Sequence, residues 1–83
     1  MYWDIAEVKP ESEYTLFVRF ADGVSGRVRI SPDQMTGVLA PLRDLNFFEQ
    51  VFIDDGAVAW PGEIDLAPDA MYEEVAKQQV GRR

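Results

Sequence analysis

Apolar and polar positions alternate through the first third of the chain with the period of two that marks half-buried strands. Trp3 to Lys9 follows that alternation, and Pro10, which has no N–H to give to a ladder, predicts the end of a first strand. Tyr14, Leu16, Val18 and Phe20 then fall on one face of a second strand, with Thr15, Phe17 and Arg19 on the other. Phe17 is the discordant position, an aromatic on the nominally outward face. Ala21-Asp22-Gly23 supplies a hairpin turn, because Asp-Gly accepts the positive φ angles such turns require. Val24 to Ile30 returns as a third strand with Gly26, Val28 and Ile30 inward and Ser25, Arg27 and Arg29 outward, so that Arg19, Arg27 and Arg29 form a basic stripe.

The pattern then changes. Ser31-Pro32-Asp33 reads as a capping hydroxyl, a proline at the first helical position and an acid near the positive helix end, with Gly37 closing the turn after about one revolution. A second short helical start follows at Asp44, with Leu45, Phe47 and Phe48 clustered beneath it, and Pro41 predicts that nothing helical crosses Val38 to Leu42. Val51-Phe52-Ile53 and Ala57 to Trp60 flank Asp54-Asp55-Gly56, the signature of a second hairpin. Pro61 predicts the end of the sheet. Pro68 opens a helix running to about Gln79, whose apolar face is Met71, Val75 and Tyr72, and Gly81-Arg82-Arg83 reads as a frayed tail.

These elements predict an α+β domain spanning residues 1–83. It has one antiparallel sheet of about five short strands, two brief helical turns and a C-terminal helix packed on one face, with the other face open to solvent or a partner.

Composition narrows the function. A chain of 83 residues, 47% hydrophobic and 12% aromatic, has enough apolar surface for one core. It contains no cysteine and no histidine, which removes the usual zinc ligands, thiol chemistry and the neutral-pH proton shuttle. The serines Ser12, Ser25 and Ser31 have no imidazole base, and a serine–lysine pairing would rest on Lys9 or Lys77. A non-enzyme is expected, with no cofactor and no metal. The N-terminus lacks a basic leader and no apolar run is long enough to span a bilayer, so a cytoplasmic protein is expected. A net charge of −7 repels a phosphate backbone and attracts a basic partner, so nucleic acid is not the expected ligand.

The carboxylates are the remaining chemistry. Asp54 and Asp55 beside Gly56 fit a turn, since a calcium loop needs six or more oxygens at defined spacing. Asp65 and Asp69 precede or begin a helix, where acids oppose the positive end of the dipole. Glu63, Asp65, Asp69, Glu73 and Glu74 are the candidate contacts for a partner. Trp3 and Trp60 read as core or core-edge residues; with Tyr14 and Phe17 they would line an apolar ligand site if they are not all buried.

Two stretches carry a family resemblance. Trp3-Asp4-Ile5-Ala6-Glu7-Val8-Lys9-Pro10, followed by Tyr14 to Gly23, is similar to the opening of the bacterial domain of unknown function 2442 family. Pro41-Leu42-Arg43-Asp44 with Phe47-Phe48, then Val58-Ala59-Trp60-Pro61-Gly62-Glu63-Ile64-Asp65-Leu66-Ala67-Pro68-Asp69 and Met71-Tyr72-Glu73-Glu74, extend the resemblance over nearly the whole chain. Gly62-Glu63-Ile64 departs from the family's turn, where many relatives carry Asn-Gly-Ala. The resemblance implies a small α+β bacterial domain without catalytic residues, often encoded beside another short protein in pairs suspected to be toxin–antitoxin modules. The expectation is a noncatalytic protein-interaction domain, antitoxin-like, holding a small basic protein. Alternatives are a small-ligand-binding domain, or a homodimer formed through an exposed sheet edge.

Overall fold

A computed structural model of the protein describes residues 1–80; the tail expected at residues 81–83 lies outside the described residues. The chain is α+β, as its pattern predicts, but its strands are divided differently. There are six, in two three-stranded antiparallel sheets, rather than about five in one. The first sheet is β1 (Ile5–Glu11), β2 (Thr15–Phe20) and β3 (Ser25–Arg29) in sequence order, and the second is β4 (Phe52–Asp54), β5 (Ala57–Trp60) and β6 (Ile64–Asp65). Between them lie 3-10 turns at Pro32–Gln34 and Gly37–Arg43 and the short helix α1 (Leu45–Phe48); α2 (Pro68–Val80) closes the chain.

Strands β2 and β3 bear out the alternation, whereas a register shift between Ile5 and Glu7 interrupts it in β1. Leu16, Val18 and Phe20 are fully buried, Ile30 is buried and Tyr14 packs against the same cluster. Strand β1 does not stop at Pro10, which sits within it opposite Leu16. The ladder parity explains why. Ile30 N–H donates to Tyr14 O and Phe20 N–H to Val24 O, so the even-numbered residues of β2 bond to β3 and its odd-numbered residues bond to β1. Pro10 therefore points its nitrogen away from β2 on an edge strand, and no ladder bond is lost.

The link between the sheets is equally specific. Ile5 N–H donates to Gly56 O at 2.8 Å, while Ala21 N–H donates to Asp4 O at 2.8 Å, so residues 4 and 5 join both hairpin turns. Gly56 has φ +80°, and a Cβ there would lie 2.9 Å from the Asp4 carboxyl, so both the turn and its neighbour require glycine.

Two further prolines act otherwise than the pattern predicts. A 3-10 segment runs through Pro41, whose missing N–H removes only one i to i+3 bond; Leu39 N–H donates to Thr36 O at its start and Asp44 N–H to Pro41 O at its end. It buries Leu42, and the preceding connection buries Met35. Pro61 ends β5 but not the sheet. Pro61 to Glu63 turn the chain back, and Ile64 and Asp65 pair with Trp60 and Ala59 as β6. Below Asp44, which caps α1 by accepting from Asn46 N–H at 2.9 Å, Phe48 is buried and Phe47 packs on the core, whereas Leu45 faces solvent.

The core sits between the inner face of the first sheet, β5, the Met35–Phe48 segment and α2. Met71 and Val75 are buried and Tyr72 packs beside them, the face predicted for the helix. Trp60 is 1% exposed, lies against Phe48 at 5.7 Å between ring centroids, and donates its indole N–H to Phe48 O at 2.8 Å.

Helix α2 is also tied to the β2–β3 turn. The Tyr72 hydroxyl donates to Asp22 Oδ2 at 2.6 Å. That bond, helped by Val24 N–H, holds the Asp22 carboxyl below its ordinary 3.8, and the same bond holds the Tyr72 phenol above its ordinary 10.0. The lowered carboxyl gives a contribution present above the ordinary carboxylate range and lost as pH falls through the lowered value; the raised phenol gives one complete below 10.0 and lost as pH rises beyond it. Tyr72→Phe is expected to flatten stability at both ends of a pH series, measured by urea unfolding, with little change in the fold because the ring still packs edge-on to Phe20.

Candidate interaction surfaces

Three surfaces flank the core. The outer face of the first sheet carries Glu7, Lys9 and Glu11 from β1, Phe17 and Arg19 from β2, and Arg27 and Arg29 from β3. Arg19 Nε lies 3.2 Å from Glu7 Oε1, Lys9 Nζ 3.2 Å from Glu7 Oε2, and Arg27 Nε 2.8 Å from Glu11 Oε1. Lys9 and then Arg19 hold the Glu7 carboxyl below its ordinary range by donating to it. Phe17, the discordant aromatic, is half-buried at the centre of this face with the Arg27 guanidinium 5.7 Å above its ring. The predicted basic stripe exists, but two of its arginines are already matched by β1 carboxylates.

The five predicted carboxylates are all exposed, and the fold does not gather them into one cluster. Glu63 and Asp65 line an open recess of about 460 Å³ at the end of the second sheet, together with Asp54, Phe52 and the edge of Trp60. Glu63 occupies the left-handed region at φ 65°, unusual for a residue with a side chain. Asp69 lies in the first turn of α2, where its Oδ1 accepts from Ala70 N–H at 2.9 Å. Glu73 and Glu74 project from the middle of α2. None of the five takes part in an ion pair among the described residues, whose bridges use only Asp4, Glu7 and Glu11 as carboxylates. Among the described residues no three such side chains are grouped to hold a metal ion.

The third surface was missed by sequence reasoning. A groove of about 390 Å³ runs between the β3 edge and α2, floored by Val28, Ile30, Leu39 and Met71. Arg29 bounds it on the strand side, and Ala67, Ala70, Glu74 and Gln78 on the helix side. Gln78 Nε2 donates to Arg27 O at 2.7 Å, a contact spanning 51 residues of sequence. The available signal was the small or polar set Ala67, Ala70, Glu74 and Gln78 at spacings of three and four, which shares one helix flank beside the apolar stripe.

The four candidate aromatics do not gather at one place. Trp60 packs inside with Phe48, Tyr14 also meets Phe48 edge-on, Trp3 stacks edge-on with Tyr2 near the N-terminus, and Phe17 lies on the outer face.

An α+β protein with two three-stranded antiparallel sheets and a C-terminal helix is thus the class that the fold defines. Residues 5–77 match the family described as protein of unknown function (DUF2442), and the chain belongs to it. No curated protein and no solved structure matches the chain. Among the described residues no helix is long and apolar enough to cross a membrane.

Proposed function

We propose that the protein is a noncatalytic interaction domain of the cytoplasm that binds a small basic protein in an antitoxin-like pairing. The observation behind this reading is the uneven use of charge. Lys9, Arg19 and Arg27 of the first sheet are matched to Glu7 and Glu11, while Glu63, Asp65, Asp69, Glu73 and Glu74 stay exposed without a cation among the described residues. Like charges left unneutralised oppose folding slightly, and a cationic partner relieves that repulsion while being steered toward the surface.

The test is association with the product of the neighbouring gene. Reversing Glu73 and Glu74 together to lysine is expected to slow association on the order of tenfold at low ionic strength. The difference should shrink once the screening length falls to about 8 Å near physiological salt. Stopped-flow association rates across a salt series measure it, and rates that do not depend on salt in either protein would remove the carboxylates from the reading.

A further inference from the structure

The parity that accommodates Pro10 leaves the opposite edge of the first sheet unfinished. Even-numbered residues of β3 bond to β2, so Arg27 and Arg29 direct their backbone N–H and C=O groups outward. Arg27 O is taken by Gln78; Arg29 has no backbone partner on that side among the described residues. This open stretch of edge forms one wall of the groove against α2. A strand edge facing a helix across an apolar floor has the form of a site for strand addition, in which backbone bonds give affinity and alternate side chains give specificity.

The geometry points to a second binding site here, sharing only Glu74 with the carboxylate surface, for an extended polypeptide segment with an apolar–acidic–apolar sequence. The pattern follows from period two. A residue placed opposite Arg29 shares its face of the sheet, the outer one, where Arg27 and Arg29 are exposed and only Arg27 is paired with a carboxylate. An acidic side chain at that position completes a cross-strand ion pair. Its two neighbours point to the inner side, over Val28, Ile30, Leu39 and Met71, and bury apolar area. The groove is short, so about three residues make the contact, and Gln78 limits the added strand at the Arg27 end.

The probe is a dye-labelled peptide with Val-Glu-Val at its centre and Gly-Ser flanks, titrated into the full chain with the Arg29 amide followed by NMR hydrogen exchange. Exchange at Arg29 should slow on peptide addition, with shifts confined to β3, Leu39 and the Ala70–Gln78 flank. The Val-Lys-Val peptide should bind on the order of fivefold more weakly, and Arg29→Glu should reverse that order, a result that an unfolded variant would not give. Ala70→Trp, at an exposed helix position, should block the groove without unfolding the domain. Failure to bind at millimolar peptide, equal binding of a peptide with its three central amides N-methylated, or shifts mapping elsewhere would overturn the site. So would a concentration-dependent protection of Arg29 in the free protein, which would mark a second copy of this chain as the occupant. The peptide test reads the Arg29 amide and the partner test reads salt-dependent association, so the two readings fail separately although Glu74 borders both surfaces.

Discussion

Replacing Trp60 with alanine is expected to destabilise the domain by about 3–5 kcal/mol, a large share of the roughly 4–12 kcal/mol that a chain of this size holds. The side chain is 1% exposed and stands where β5, α1 and the turn into β6 meet. Two losses combine. The ring's apolar area leaves a cavity beside Phe48, and Phe48 O loses its buried indole donor. Trp60→Phe separates them: it keeps most of the volume but no N–H, so it should cost about 1–3 kcal/mol, mainly the unmet carbonyl. Urea unfolding of both variants, read as midpoints with unchanged slopes, measures the difference. An alanine variant within about 1 kcal/mol of the parent would show that Trp60 does not hold the second sheet to the core.

Local patterning carried much of the fold. The inward sets Leu16–Val18–Phe20 and Met71–Val75 were legible because each follows one period without interruption, and both Asp-Gly turns were legible because few residues accept their backbone angles. What escaped was set by geometry between elements. Pro10 stays in a strand because its nitrogen faces outward, a parity fixed only when β2 chooses its partners. The two-residue β6 is too short to show alternation, and Pro61 before it reads as a stop. The acidic surface was legible as a list of residues, but its division between the β6 end and α2 was not, because Glu63 and Asp65 are placed by the turn that returns the chain to β5. The groove lay furthest out of reach, since the strand edge and the helix flank that form it are brought together only by the complete fold.

That juxtaposition also makes Gly26 a sensitive small residue. It lies on the inner face of β3, and a Cβ there would sit 2.8 Å from Val75 Cγ1 and 3.1 Å from Gln78 Oε1. The Gln78 amide is the end of a flexible chain and can move; Val75 is fully buried and β-branched, with little rotamer freedom in a helix. Gly26→Ala is therefore expected to push α2 from the sheet at a cost of about 1–3 kcal/mol, and it should loosen the Gln78 contact with the β3 edge. Val75→Ala alone leaves a cavity. Combined, the two changes should cost clearly less than their sum, because removing Cγ1 makes room for the new Cβ, which then meets Val75 Cβ at an ordinary 3.7 Å. A double-mutant cycle by denaturant unfolding gives the coupling, and strict additivity would mean that helix and strand do not meet at this point. The glycine that gives β3 no weight as an isolated strand is the residue that lets α2 approach closely enough to form the groove.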